Sequence, residues 1–247
     1  MIRGLYTSAT GMLAAQTRSE VIGDNVANVK TPGYKEEQAS NISFPAQMIE
    51  RVGGNQASEV VPIGGMGTGV GVDRAARSNV QGSIQTTDVK TDLALTSPGY
   101  FVVQTPGGER YTRNGQFQTD SNGMLQTSDG NAVLGVKGPI GPLSSDFSVK
   151  ADGTVMDKGQ SLDRLRVVDI PANALQREGQ SLYSSSQPVQ ASATAQVLQG
   201  SIEASNVDIS GQMVQMMTVM KAYEANQKVI QTEDSMLDKA VNEVGKI

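Results

Sequence analysis

Residues 213–244 read MVQMMTVMKAYEANQKVIQTEDSMLDKAVNEV, and an apolar side chain returns every seven residues along this segment. The first row of these side chains is Met216, Tyr223, Ile230, Leu237 and Val244. A second row lies three positions ahead and consists of Met213, Met220 and Val241, with Gln227 and Asp234 interrupting it. Such spacing is typical of a helix whose apolar seam packs against another helix.

A matching pattern lies near the other end of the chain, where residues 3–29 are predicted to form a helix. One row contains Leu5, Met12 and Val26, and its partner row contains Ala15, Ile22 and Val29. The helix should stop at Thr31-Pro32-Gly33, because proline disfavours helical geometry in the preceding residue. Two seam-bearing helices at opposite ends suggest a chain whose ends meet and assemble with copies of itself.

Three glycines, Gly4, Gly11 and Gly23, interrupt the N-terminal helix. Each costs about 1 kcal/mol relative to alanine in a helix interior. The helix is therefore either simply weak or becomes ordered on assembly, where small residues let a neighbouring helix approach. The C-terminal helix, capped by Asn206 or Asp208, would run for about 38 residues or ~57 Å, too long for one small domain to cover.

The residues between the helices divide into two parts. Residues 34–89 show no sustained period and include a glycine-dense stretch, 64–71, so we expect an extended arm or linker with short strand pieces. Residues 90–204 contain short apolar runs separated by turn signals, which predict a small antiparallel β domain with a return linker. The turn signals are Asn114-Gly115, Asn122-Gly123, Asp129-Gly130 and Asp152-Gly153. The expected fold class is α+β, with residues 1–33 and 205–247 pairing as a coiled-coil-like helical domain.

Composition excludes several classes of function. The chain has no His and no Cys, which removes disulfides, thiolate chemistry and the usual transition-metal ligands. A net charge of -5 gives little electrostatic support for nucleic-acid binding. No segment approaches the ~18 apolar residues of a membrane helix. The N-terminus also lacks the apolar run of a cleaved secretory signal peptide.

Two short segments resemble ligand-binding loops, and both fail on their spacing. The glycines of residues 64–71 lack the third glycine of a dinucleotide motif and the Gly-Lys-Ser/Thr of a phosphate loop. Residues 120–123, DSNG, begin like a calcium loop but lack the downstream Glu and regular spacing. A serine nucleophile would lack its usual His base. We therefore expect no catalytic, cofactor or metal site.

Motifs at both ends and in the middle resemble one known family. Residues 25–35, NVANVKTPGYK, closely resemble the N-terminal motif of flagellar rod and hook proteins. Residues 205–208, SNVD, with residues 222–232, AYEANQKVIQT, resemble their C-terminal motif. Residues 99–103, GYFVV, and residues 110–117, RYTRNGQF, resemble the β domain shared by proximal and distal rod proteins. The resemblance covers nearly the whole chain.

The resemblance implies a structural subunit of the bacterial flagellar basal body, exported through the flagellar type III apparatus without a cleaved signal. Such subunits assemble helically into a hollow drive shaft that transmits torque to the hook, with the terminal helices inside and the β domain outside. The implied partners are copies of the chain, other rod proteins, the hook protein and the export apparatus. Ring proteins around the rod are a further candidate.

The rod segment is less sharply indicated. Residues 67–72, GTGVGV, and residues 81–85, QGSIQ, resemble the distal rod protein, whereas residues 42–45, ISFP, depart from its pattern. The short chain and Arg113-Asn114-Gly115 fit the proximal type about as well. We expect the distal type, with the proximal type or a hook-junction component as alternatives.

The predicted assembly interface follows the two helical seams. Its residues are Leu5, Met12, Ile22, Val26, Met213, Met216, Met220, Tyr223, Ile230, Leu237, Val241 and Val244. The methionine cluster of residues 213–220 is either core filling or an adaptable surface for non-identical neighbours. Two other classes stay open at this point. One is a peptidoglycan-acting enzyme with converging carboxylates, and the other is a soluble coiled-coil adaptor.

Overall fold

The structure is a computed structural model, and it describes residues 2–52, 60–73, 76–171, 174–179, 181–192 and 195–242. The fold is α+β, with a helix near each end of the chain and antiparallel strands between them. The chain forms two compact units. The helical unit comprises residues 1–27, 37–78 and 208–247, and the β unit comprises residues 28–36 and 79–207.

The helical unit contains α1, Ile2–Ala27, and α2, Ile209–Asn242. The first helix ends two residues before the predicted position 29. Asp208 caps α2, because its carboxylate accepts hydrogen bonds from the backbone N–H groups of Ser210 and Gly211, each at 3.1 Å. Asp208 is therefore the cap, rather than Asn206. The predicted seam residue Val244 lies outside the described residues.

The rest of the helical unit consists of short strands. They pair as one long hairpin with two interruptions. The strands are β1 Glu37–Gln38, β2 Asn41–Ser43, β3 Gln47–Val52, β4 Val60–Met66, β5 Val70–Val72 and β6 Ala76–Arg77. They pair in nested order, β1 with β6, β2 with β5 and β3 with β4. The hairpin lies along α1, where the Val70 N–H donates to Thr10 Oγ1 at 3.4 Å.

The β unit consists of short antiparallel strands. They are β7 Ile84–Thr86, β8 Leu93–Leu95, β9 Tyr100–Thr105, β10 Gly108–Thr112, β11 Phe117–Thr119, β12 Leu125–Thr127, β13 Ala132–Val133, β14 Ser148–Val149, β15 Thr154–Asp157, β16 Gln160–Arg164, β17 Val167–Asp169, β18 Leu175–Arg177, β19 Tyr183–Ser185, β20 Gln190–Ala191, β21 Val197–Gln199 and β22 Ser201–Glu203. The largest sheet has the order β11-β12-β13-β9-β10-β19-β18, and β17 joins β9 to β20. Smaller ladders are β14-β15-β16, β8 with β21, and β7 with β22.

Three of the four predicted turn signals connect paired strands. Asn122-Gly123 joins β11 to β12, Asp129-Gly130 joins β12 to β13, and Asp152-Gly153 joins β14 to β15. The hairpin predicted at Asn114-Gly115 is wrong, because β10 pairs with β9 and β19 instead of β11. Gly115 is needed there for close approach, since a Cβ would lie 1.6 Å from the Leu93 carbonyl oxygen.

Strand β9 is the centre of the β unit's core. Phe101 and Val103 belong to one buried cluster, and Tyr100 and Val102 belong to another. Because alternate strand residues point to opposite faces, β9 is covered on both sides. Phe101 also meets Phe117 edge to face, with ring centroids 5.2 Å apart.

Within the described ranges, no helix is long and apolar enough to cross a membrane.

Candidate functional site

The two helices of the helical unit pack against each other in antiparallel directions. A Cβ on Gly4 would lie 2.5 Å from Glu233 Oε1, and one on Gly11 would lie 2.7 Å from Asn226 Nδ2. Further along, Ser19 Oγ lies 3.2 Å from Met216 Sδ. Residue numbers therefore increase along α1 and decrease along α2 from one contact to the next, in steps of about seven residues. Gly4 and Gly11 admit the close neighbour that the sequence suggested, and it belongs to the same chain.

Only one of the two apolar rows of α2 faces α1. In the first row, Met216, Ile230 and Leu237 are half-buried, whereas Tyr223 is exposed. The inward partner row is mostly polar and consists of Gln212, Val219, Asn226 and Glu233. On α1, the small apolar core contains Ala15 and Ile22. Hydrophobic periodicity alone missed the polar members of this row, because they become recognisable only when the residues opposite them on α1 are known.

The predicted interface residues fall into three groups by exposure. Ile22 is buried, at 4% exposure. The half-buried group consists of Leu5, Met12, Val26, Met216, Ile230 and Leu237. The exposed group consists of Met213, Met220, Tyr223 and Val241. The exposed group leaves apolar surface on α2 that the described part of the chain does not cover.

A surface groove lies between the two helices beside this exposed group. It has a volume of about 410 Å³, and its lining includes Ala15, Ser19, Val219, Met220 and Tyr223. The polar side chains of Gln16, Glu20, Glu224 and Gln227 complete the lining. Its shape and apolar lining suit the insertion of a side chain from another molecule.

The β unit contains a second notable feature, a buried cluster of three charged side chains. Glu203 accepts hydrogen bonds from Lys35 Nζ at 2.5 Å and Arg113 Nε at 2.6 Å. All three side chains are at most 5% exposed. The backbone N–H of Gly82 also donates to Glu203 Oε1 at 3.0 Å. Burial lowers the pKa of the Lys35 ammonium, and the hydrogen bond to Glu203 opposes this shift.

The remaining donors of Arg113 bind backbone oxygens. Its Nη1 donates to the carbonyls of Ser97 at 2.9 Å and Gly99 at 2.5 Å, and its Nη2 donates to Leu95 at 3.2 Å. The guanidinium is therefore held on all sides, and the carboxylate of Glu203 faces two cations. This arrangement fixes backbone segments in place, and among the described residues that form it there is no second carboxylate for acid–base chemistry.

Backbone contacts join the same segments. The Gly33 N–H donates to the Glu203 carbonyl oxygen at 2.7 Å, and the Glu36 N–H donates to Asn206 Oδ1 at 2.7 Å. Gly33 has a φ of 69°, and a Cβ there would lie 2.4 Å from the carbonyl carbon of Arg113. Only glycine fits this position, because both the conformation and the close approach exclude a side chain. Residues 31–36 are thus held in the β unit by backbone and buried charge together.

Comparison with known proteins gives matches along most of the chain. Residues 5–35 match flagella basal body rod protein, residues 94–157 match the flagellar hook protein FlgE/F/G D1 domain, and residues 198–243 match the flagellar basal body rod FlgEFG protein C-terminal region. The flagellar hook-basal body complex protein FlhO of Bacillus subtilis is 33% identical, over 100% of both chains.

Two further relatives carry rod-protein names. The flagellar basal-body rod protein FlgG of Buchnera aphidicola subsp. Acyrthosiphon pisum is 34% identical, over 97% of this chain and 98% of its own. The flagellar basal-body rod protein FlgF of Caulobacter vibrioides is 31% identical, over 100% of both. The chain belongs to the flagellar basal-body rod protein family.

Membership of the rod-protein family confirms the resemblance in the sequence and decides between classes of function. Rod proteins are structural components of the flagellar basal body, so the hypothesis of a peptidoglycan-acting enzyme is wrong. The buried cluster also gains a meaning in this family. Lys35, Arg113 and Glu203 each come from a different one of the three matched segments. The three segments that mark a rod protein therefore meet at one buried carboxylate.

Proposed function

We propose that this rod protein is a subunit that assembles helically with copies of itself into the hollow drive shaft below the hook. The observation that carries the proposal is the exposure of α2. Among its 34 residues, Gln212 and Val219 are buried, while Met213, Met217 and Met220 are more than half exposed. Burial of such a side chain stabilises an interface by about 1.5–3 kcal/mol, which favours neighbours on this face.

In the proposed assembly, the predicted helical domain of residues 1–33 and 205–247 forms an inner coiled-coil-like layer. The β domain of residues 90–204 lies outside it, and residues 34–89 act as an arm that makes lateral contacts. Support for the arm comes from side chains on the paired strands of residues 37–77, where Ile42, Met48 and Ile63 are more than half exposed. Other rod proteins and the hook protein are proposed as axial neighbours.

We favour the distal type of rod subunit on the resemblance of residues 67–72 and 81–85, with the proximal type as the alternative. Relatives named FlgG and FlgF support a rod role without choosing between these types. Export through the flagellar type III apparatus without a cleaved signal, and contact with surrounding ring proteins, belong to the same proposal.

Charge introduced on the exposed face of α2 tests the assembly directly. Met213→Asp and Met220→Asp should abolish swimming and rod assembly while leaving the purified chain folded, because both side chains are exposed in the single chain. Thr218→Asp, which adds the same charge at an exposed position on another side of α2, is the matched control and should swim normally. Normal swimming of both methionine variants would contradict the proposal.

Charge in the half-buried row tests the helix seam. Ile230→Asp and Leu237→Asp should also block assembly, and in addition they should weaken the packing of α2 on α1. Circular dichroism of the purified chain separates the two effects, since the β unit should stay folded in every variant. A stable dimer of the unassembled chain would instead favour the adaptor hypothesis.

Immunogold microscopy of purified hook–basal bodies, with antibody to residues 90–200, tests the location. Label confined to the shaft below the hook is expected, and its height separates the distal from the proximal type. Label along the hook would favour a hook component, and an unlabelled intact structure would contradict a rod role.

A further inference from the structure

The apolar side chains of α1 and α2 do not by themselves determine the register in which the two helices pair. Both helices repeat their seam every seven residues. A slip of seven residues therefore brings an equivalent set of positions face to face, because a heptad pattern is superimposable on itself. Some other interaction has to distinguish the observed alignment from the slipped one.

A buried polar contact lies at the end of the seam where α1 finishes and α2 begins. The Asn25 side chain is 0% exposed, and that of Gln212 is 3% exposed. Asn25 Nδ2 donates to Gln212 Oε1 at 3.2 Å and to the Glu37 carbonyl oxygen at 2.7 Å. In return, the Glu37 backbone N–H donates to Asn25 Oδ1 at 3.0 Å. One amide thus bonds to α2 and to strand β1 at the same time.

We infer that Asn25 is a positioning residue that sets the register of the helix pair through Gln212 and Glu37. In the observed alignment, the Asn25 amide has partners on both α2 and β1. After a slip of one heptad, Asn25 would face Val219 instead of Gln212, and its amide would lose that partner in a buried site. A buried polar group without a partner is costly, so the slipped register is disfavoured. The inference concerns pairing within one chain and holds whether or not the chain assembles as proposed.

This role differs from simple stabilisation. A pair of apolar side chains in place of a buried polar pair can leave stability unchanged or raise it, while removing the preference for one alignment. The double variant Asn25→Leu with Gln212→Leu also removes the two hydrogen bonds between Asn25 and the Glu37 backbone, so we expect it to keep most of its helix content and to lose its register. Asn25→Leu alone should be worse folded than the double variant, because Gln212 would then be buried against an apolar neighbour.

Introduced cysteines can report the register, because the chain has none of its own. The pair Ser19→Cys with Met216→Cys reports the observed alignment, since Ser19 Oγ and Met216 Sδ are 3.2 Å apart. The pair Ser19→Cys with Tyr223→Cys reports a slip of seven residues. Each pair is placed in the otherwise unchanged chain and in the leucine double variant. Disulfide yield under mild oxidation is then measured for the full-length protein by electrophoresis, with helix content followed by circular dichroism.

The unchanged chain should form the in-register disulfide in large excess. In the leucine double variant, the ratio of slipped to in-register product should rise about fivefold or more, the population change that one buried hydrogen bond can cause. Gln227→Leu is the matched control, because it makes the same substitution as Gln212→Leu at an exposed position of α2. It should leave the ratio of the two disulfides unchanged.

Several outcomes would overturn the inference. An unchanged product ratio in the leucine double variant would show that register is set elsewhere. Loss of helix content together with both disulfides would show that the Asn25 contact stabilises the pair without selecting its alignment. An excess of slipped over in-register product in the unchanged chain would contradict the observed alignment itself.

Discussion

The β unit and the helical unit bury their side chains to very different extents. The largest cluster of the β unit includes Leu93, Phe101 and Val103, all at 0% exposure. The buried apolar core of the helical unit consists of Ala15, Ile22 and Val219, beside buried polar groups. The β unit therefore completes its core within one chain. The helices keep apolar side chains exposed, as expected of a surface that binds other molecules.

The charged and polar contacts of the two units differ in the same way. In the β unit, three buried ionic side chains meet, and removing one member would leave charge uncompensated. In the helical unit, the buried contact between Asn25 and Gln212 is neutral. Neutral pairs contribute little net stability, and their main effect is to select one arrangement. The buried contacts of the β unit are thus ionic, whereas the buried contact between the helices is neutral.

The largest expected effect comes from breaking the buried cluster of the β unit. Glu203→Gln should destabilise this unit by about 3–5 kcal/mol, because Lys35 and Arg113 would remain charged and buried opposite a neutral amide. Urea denaturation followed by tyrosine fluorescence measures the change. Glu109→Gln, which removes one member of a half-exposed ion pair with Arg166, should have a much smaller effect. Equal effects of the two variants would contradict a special role for the cluster.

A truncated side chain in the core of each unit tests whether the two units unfold separately. Phe101→Ala should destabilise the β unit by about 3–5 kcal/mol, because it empties a fully buried site next to Phe117. Val219→Ala should instead lower helix content and leave the unfolding of the β unit unchanged. Far-ultraviolet circular dichroism and tyrosine fluorescence, measured along the same denaturation curve, distinguish the two responses. Coincident shifts of both signals in both variants would mean that the units unfold as one.

Acid should weaken the β unit through carboxylates at its turns. Backbone N–H groups of Met124 and Thr154 hold the pKa values of Asp120 and Asp152, respectively, below the ordinary value of 3.8. The unfolded chain binds protons at these positions first as pH falls, so stability should decrease below about pH 5. Asp120→Asn with Asp152→Asn should flatten this dependence in denaturation curves measured from neutral to acidic pH. Asp146→Asn, which removes an exposed carboxylate, is the charge control, and an equal flattening by it would contradict the assignment.

Local sequence signals predicted much of the β unit. Asn122-Gly123 and Asp129-Gly130 mark real hairpins, because each short turn is decided by its own residues and places its glycine at a positive φ. Asn114-Gly115 has the same sequence as Asn122-Gly123, but its glycine makes a long-range backbone contact with Leu93. The buried cluster could not be found in this way, since Lys35 and Glu203 are 168 positions apart. Charged residues in a sequence are normally assigned to the surface.

The helical seam was half predictable, for a reason that lies in its chemistry. Apolar periodicity identifies Met216, Ile230 and Leu237, and these three residues are half-buried. Gln212 and Asn226 are equally part of the inward face, yet each depends on a particular partner across the seam, Asn25 for one and Gly11 for the other. Periodicity describes one helix at a time, so it cannot recognise a polar residue that is made acceptable by its neighbour.

The smallest expected effect separates two glycines of α1. Gly23→Ala should stabilise the helix by about 1 kcal/mol, because alanine has the higher helix propensity and, beyond the adjacent backbone of α1, no atom of the described residues lies within 4 Å of the new Cβ. Gly11→Ala should gain less or lose stability, since its Cβ would lie 2.7 Å from Asn226 Nδ2 and the seam would have to open. Thermal unfolding followed by circular dichroism compares them. Pairing Gly11→Ala with Asn226→Ala should restore the gain, because the truncated side chain makes room. An equal gain from both single variants would mean that α1 and α2 do not pack closely at this position.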